Sequence, residues 1–282
     1  MKIISNIIKY IVIILLIISI ILTLAVKVLT STILNKDYIL GKIEETNYYN
    51  NVYNQVESNF ENYIYQSGLD EDVIKGIISE EDIKSDTIQI INNIYNNKEV
   101  TEVDISKIEE RLEKNIYNSL SGQKISDSTK KSITQFINKI TEEYKDTIIH
   151  TKYETSINKV LTKIIRYSSK IKTVAIIVDV ILVILLLLLN MKNILRGIAQ
   201  IGIVLSSTGI FYIVVNFIVN SKVKIDYITV LNNGFSITLR NILHSIMNNI
   251  LTNGIVVLII GIILIITANL ILYKNTKNEE LH

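Results

Sequence analysis

Residues 176–190 read IIVDVILVILLLLLN, and the reading of this stretch decides the fold. Only Asp179 and the closing Asn190 are polar. Extended back to Thr173, the run covers 173–190, close to the roughly 20 residues a helix needs to cross a hydrocarbon core. Three more blocks share its character: 11–34, carrying IVIILLIISIILTLAV, then 195–219 and 254–273. Between the first block and the second lies a long polar segment, 35–172. The pattern predicts an all-α integral membrane protein with four transmembrane helices. A large helical-bundle ectodomain sits between spans 1 and 2, on a stalk continuous with the spans.

Composition agrees with that reading. The 282 residues are 49% hydrophobic, with a mean hydropathy of +0.35, and the excess is concentrated in the four blocks. Net charge is +2, which gives no field suited to nucleic acid. The absence of cysteine excludes disulfides, thiol catalysis and cysteine zinc sites. The absence of proline removes the commonest helix breaker. The Ile, Asn and Lys bias resembles AT-rich bacterial coding.

The first block has too long an apolar core for a cleaved signal peptide, and no small-residue cleavage site follows, so it reads as an uncleaved signal anchor. Lys2 and Lys9, Lys192 and Arg196, and Lys274 and Lys277 fall on one side of a four-span chain. By the positive-inside rule both termini are cytoplasmic and the protein is a multi-pass protein of the bacterial plasma membrane. Lys159, Lys163, Arg166, Lys170 and Lys172 crowd the opposite end, but long translocated segments largely escape that rule. The pieces left inside are 1–10, the turn 191–194 and the tail 274–282, too short to house a kinase or a DNA-binding domain.

The ectodomain carries helical spacing throughout. In TNYYNNVYNQVESNFENYIYQSG, Tyr49, Val52, Tyr53, Val56, Phe60 and Ile64 share a stripe that ends at Ser67-Gly68. SEEDIKSDTIQIINNIYNN opens with Ser79 and Asp82 at capping-box spacing. A short helix in DEDVIKGII is expected just before it. DISKIEERLEKNIYNSLSG aligns Ile105, Ile108, Leu112, Ile116 and Leu120 and stops at Gly122. From Asp127 no breaker precedes the membrane, so one helix of about 60 residues is expected, and span 1 is expected to run on into the Tyr-rich helix. Segment 220–253 reads as an outer loop with an amphipathic helix, RNILHSIMNNIL.

Catalytic signatures are missing. His150, His244 and His282 are scattered, there is no HExxH, GxSxG or P-loop, and His244 and Ser245 point about 100° apart on a helix. The acidic runs Asp70–Asp72 and Glu80–Asp82 lack calcium-loop spacing and suit helix N-termini. No enzyme activity, cofactor or metal is expected.

Inside the membrane, Ala199, Gly202, Ser206, Gly209 and Asn216 keep to one helix face, while Gly254, Gly261 and Ala268 recur every seven residues. Small residues let helix backbones approach closely, so these form a packing seam. Asp179 lies seven residues past Lys172, and Lys27 eight before Asn35. From the outer edge both are about 10–12 Å deep, which predicts an intramembrane ion pair between Lys27 and Asp179. From the inner edge their depths differ by roughly 7 Å. The alternative is that Asp179 reaches local water while Lys27 snorkels to headgroups.

The order of one span, a large domain and three spans is similar in layout to the permease-like subunits of the cell-division and macrolide-exporter ABC systems. That resemblance implies a separate cytoplasmic ATPase as partner and carries no functional residue over. The chain itself reads as a non-enzymatic envelope protein. Its helical ectodomain binds or scaffolds a protein partner, or the chain forms a homo-oligomer through spans or ectodomain. The lipid bilayer is its other partner, and nucleic acid is not one.

Overall fold

The computed structural model describes residues 2–96, 103–122, 125–149, 151–229 and 233–279. Among them every regular element is helical: α1 (Lys2–Ser31), α2 (Lys36–Glu45), α3 (Tyr48–Ser67), α4 (Glu80–Tyr95), α5 (Ser106–Ser119), α6 (Asp127–Ile149), α7 (Thr151–Leu189), α8 (Ile194–Lys222) and α9 (Asn233–Glu279), with short 3₁₀ turns between some of them. Four windows are long and apolar enough to cross a membrane: Asn6–Ser31, Lys170–Leu189, Met191–Lys222 and Asn233–Thr276. The chain divides into an apolar unit (Met1–Asn35, Arg166–Tyr227, Ile242–His282) and a polar unit (Lys36–Ile165, Ile228–Asn241).

In the polar unit, the apolar stripes read from the sequence meet in one core. Val52, Val56, Phe60 and Ile64 of α3, Ile83 and Ile91 of α4, Leu112 and Ile116 of α5, and Ile140 and Tyr144 of α6 are buried together. Full burial of each large side chain contributes about 1.5–3 kcal/mol. The helix ends follow local chemistry. α3 stops because Gly68 takes a left-handed φ of 71° and returns its N–H to the Ile64 carbonyl. α4 starts in a complete capping box, in which Ser79 Oγ accepts from Asp82 N while Asp82 accepts from Ser79 N. Ser79→Ala should therefore cost about 1 kcal/mol, read as a lower thermal midpoint with the helical circular dichroism of the folded state unchanged.

The structure corrects several expectations. The short helix before Ser79 is a single 3₁₀ turn, Glu71–Ile74, capped by Asp70. The first span does not run on into the Tyr-rich helix. Thr30, Ser31 and Thr32 each turn a hydroxyl back onto carbonyls of the last turn, at Lys27 (3.1 Å), Val28 (3.1 Å) and Val28 (2.7 Å). Three such residues in a row compete with the helical ladder, and α1 closes with Leu34 N bonded to the Leu29 carbonyl. A second break follows at Asn47, whose φ of 51° separates α2 from α3. The expected long helix after Asp127 is described as α6 and α7, with His150 between them outside the described residues. His282 also lies outside them.

The stretch RNILHSIMNNIL is no separate amphipathic helix. It lies in the body of α9, 47 residues long. Nothing between Arg240 and Asn253 interrupts a helix, and Gly254 keeps helical geometry, because a Cβ there would sit 2.9 Å from the Tyr212 Cβ. A helical glycine costs about 1 kcal/mol relative to alanine, and close packing on α8 offsets it. The described connection from α8 to α9 contains only a 3₁₀ turn, Ile225–Tyr227. The first turns of α9 belong to the polar unit. Phe235 packs on its core, Thr238 Oγ1 lies 2.7 Å from Thr46 Oγ1, and Gly234 abuts Asn51 and Val52.

Candidate functional site

The chemistry-bearing residues of the apolar unit gather where α1, α7, α8 and α9 meet. The core between α1, α7 and α8 is Val12, Leu16, Leu186 and Val204, with Leu182 and Val183 packed against it. This packing turns one face of α7 inward and places Asp179 on it.

Asp179 meets α1 at Thr23, not at Lys27. Thr23 Oγ1 donates to Asp179 Oδ2 at 2.6 Å. Lys27 Nζ donates to Asn253 Oδ1 of α9 at 3.2 Å, and Asn253 Nδ2 in turn donates to the Asn249 carbonyl at 2.7 Å. Among the described residues no ion pair joins Lys27 and Asp179. The reason is register. Lys9 Nζ donates to Asn190 Oδ1 at 3.0 Å, which fixes α1 beside α7 at that end. Asp179 is eleven residues from Asn190, a rise of about 16 Å, whereas Lys27 is eighteen residues from Lys9, about 27 Å. The outer-edge ruler failed because α1 ends at Ser31 rather than at Asn35. The inner-edge offset of roughly 7 Å is about five residues, which puts Asp179 level with Leu22, next to Thr23.

A double-mutant cycle separates these contacts. Thr23→Val and Asp179→Asn should couple by about 0.5–1.5 kcal/mol, as expected for a direct hydrogen bond. Lys27→Met and Asp179→Asn should couple less, with both cycles read from unfolding in mixed micelles.

Asn190 is a junction. Its Nδ2 donates to the Leu186 carbonyl and to Gln200 Oε1, each at 2.8 Å, while its Oδ1 accepts from Lys9. One buried amide thus links α1, α7 and α8. Tyr212 donates its hydroxyl to the Ile21 carbonyl at 2.6 Å, and Asn216 Nδ2 donates to the Met247 carbonyl at 2.7 Å. His244 Nε2 lies 2.8 Å from Asp226 Oδ1. Apart from the local bond of Asn190 to Leu186, sequence spacing gave none of these partners, since each joins residues ten or more positions apart.

The small-residue seam is where two backbones touch. A Cβ at Gly202 would lie 2.8 Å from the Gly261 carbonyl oxygen, and one at Gly209 2.6 Å from that of Gly254. A Cβ at Gly261 would lie 2.5 Å from both N and Oγ of Ser206. Gly202, Ser206 and Gly209 on α8 therefore face Gly254 and Gly261 on antiparallel α9. Ala268 is buried, and Ala199 is half-buried.

In the polar unit the acidic runs are used by the fold. Asp70 caps the 3₁₀ turn. Asp82 completes the capping box and accepts from Arg111 Nη1 at 2.7 Å, and the same Nη1 also donates to the Ile77 carbonyl at 3.1 Å. Burial opposes ionisation of Asp82, but the hydrogen bonds from Arg111 and Ser79 prevail and hold its carboxyl below the usual range. Asp86 goes the other way. Burial raises its pKa, and the hydrogen bond from Tyr144, 2.6 Å long, offsets that only in part. A hollow lined by Glu44, Asn47, Tyr49, Glu80, Glu81 and Lys84 opens beside α4, with Lys84 Nζ 3.6 Å from Glu44 and 5.7 Å above the Tyr49 ring.

Comparison with protein-family models, curated proteins and solved structures finds no match to this chain.

Proposed function

We propose that this chain is a non-enzymatic, multi-pass protein of the bacterial cell membrane whose polar helical unit is an extracytoplasmic domain that binds or scaffolds a protein partner. The observation that carries the reading is the pairing of four apolar helices with a polar unit that has its own buried core. The contact of Lys9 with Asn190 supports inside termini, because it gathers the basic residues at the start of α1 at the same end as Lys192 and Arg196. Asp179, Asn190, Tyr212 and Asn216 each hydrogen-bond to a neighbouring helix, as expected of groups that hold a bundle together in lipid, while Asp179 Oδ1, Ser206 Oγ and Thr208 Oγ1 are buried without a hydrogen-bond partner.

Orientation and partner are tested separately. The chain has no cysteine, so Tyr65→Cys, at a side chain 92% exposed, gives a unique label site. In intact cells a membrane-impermeant maleimide should label it and should spare Asn275→Cys; the reverse pattern sinks the orientation. Pull-down after mild detergent extraction should then return a stoichiometric partner that depends on the polar unit.

A second reading is a transmission subunit that works with a separate cytoplasmic ATPase. Its support is that α9 is one unbroken helix with residues in both units. Co-purification of a stoichiometric ATPase would favour this reading over the first.

A further inference from the structure

The hollow beside α4 holds groups that the fold leaves unused. It measures about 450 Å³, and its walls carry three carboxylates, Glu44, Glu80 and Glu81, against one ammonium, Lys84, a balance of −2. Glu80 and Glu81 stand in the first turn of α4, where the helix dipole favours acids. The capping box, however, is made by Asp82. Neither glutamate forms an ion pair among the described residues.

An acidic rim is common at a helix start; Tyr49 is the feature that points to a ligand. Only 6% of Tyr49 is exposed, and its ring packs edge-on against Tyr48 at 6.0 Å. A phenol buried to that degree usually finds a hydrogen-bond partner. Among the described residues the Tyr49 hydroxyl has none, and burial, followed by the Glu44 carboxylate, raises its pKa. The hydroxyl is not sealed off from solvent. Tyr49 and Glu44 both line the hollow, so this unpartnered group faces the space they share.

Lys84 shows what that space accepts. Its Nζ lies 5.7 Å above the Tyr49 ring, within cation–π range, and 3.6 Å from Glu44 Oε1, too far for a hydrogen bond. So loose and exposed a pair contributes little to stability, and another cation displaces it readily. Among the described residues no three acidic or imidazole side chains gather closely enough to hold a metal ion. The charge is spread around the rim instead, which suits an organic cation.

We propose that this hollow binds a lysine or arginine side chain of the protein partner. The incoming cation replaces Lys84 over the Tyr49 ring and pairs with Glu80 and Glu81, while the Tyr49 hydroxyl accepts one of its N–H groups. This deepens the partner-binding reading above and rests on it for the ligand's being part of a protein.

The probe is N-acetyl-arginine methylamide, titrated into the full chain in lipid nanodiscs, with the uncharged citrulline counterpart as control. Binding should saturate at one site for the arginine compound and be absent for citrulline. Glu80→Gln combined with Glu81→Gln should weaken it roughly tenfold, the scale of losing charge-assisted hydrogen bonds. The same two charges removed at Glu109 and Glu110 of α5 should leave it unchanged. Lys84→Met should tighten it about threefold, because the tethered competitor is gone. Tyr49→Phe should weaken it by about the same factor with the thermal midpoint unchanged, since that hydroxyl supports nothing in the fold. No saturable binding, equal binding of citrulline, or equal weakening by the α5 pair overturns the proposal. So does a partner that the Glu80–Glu81 double variant retains undiminished in the pull-down. If the probe fails while the unmodified chain still retains its partner, only the hollow is lost. If the unmodified chain retains no partner, the reading above fails, and the probe still decides whether the hollow takes the cation.

Discussion

Gly261→Leu should separate α8 from α9 and give the largest loss of stability of any single substitution in the apolar unit. Even a methyl group there meets Ser206 N, Ser206 Oγ and the Gly202 carbonyl oxygen at 2.5–2.6 Å. Two of those three atoms are backbone and cannot rotate away, so the helices themselves must part. Ordinary overpacking costs about 1–3 kcal/mol; here the leucine also removes the close approach at Gly202, so an effect at or above the upper end is expected. The hydrogen bond from Asn216 to the Met247 carbonyl spans the same pair of helices and should weaken with it. Gly41→Ala is the contrasting case. That glycine has open space around it within α2, so alanine should stabilise by about 0.5–1 kcal/mol. Unfolding of both variants in one detergent gives the comparison; equal midpoints would refute the backbone contact.

Tyr144→Ala should have the largest effect in the polar unit. The side chain is fully buried at the junction of α3, α4 and α6, and aromatic-to-alanine changes in such places cost about 3–5 kcal/mol. Tyr144→Phe isolates the hydroxyl. It keeps the ring but removes the donor from the half-buried Asp86 carboxylate, at a cost of about 1–3 kcal/mol. Asp86→Asn in the phenylalanine background should recover part of the loss, because a neutral amide needs its lost donor less. The pH dependence follows in sign. Burial raises the folded-state pKa of Asp86, so its stabilising contribution is complete below the ordinary aspartate range and is lost as pH rises through the raised value. Asp82 is lowered, so its contribution is present above that range and lost as pH falls through the lowered value. Thermal midpoints taken from pH 3 to 8 should show Asp86→Asn flattening the high-pH side and Asp82→Asn the low-pH side.

What could be read from the sequence was what local rules govern. The stripe in α3, the Ser79–Asp82 box and the stop at Gly68 each depend on residues within a turn or two, and all three stand in the structure. The glycine seam was legible because its period reports a close approach without naming the neighbour. The ion pair was not, because partner choice inside a bundle depends on helix register. Register here is set by Lys9 and Asn190 and by three hydroxyl residues that end α1 four residues early. The extent of α9 was ambiguous for a related reason: Gly254 can end a helix or pack one, and only Tyr212 on α8 decides which.

The polar unit is discontinuous along the chain, and this bears on the order in which the protein can be made. Residues 36–165 leave the ribosome long before 228–241, with two of the apolar helices translated in between. Until Gly234, Phe235 and Thr238 arrive, the surface around Thr46, Asn51 and Val52 waits without its cover. The core of the polar unit therefore stays unfinished while α7 and α8 are translated. The segment that closes it is the start of α9, so the polar fold is completed only after α7 and α8 have been made.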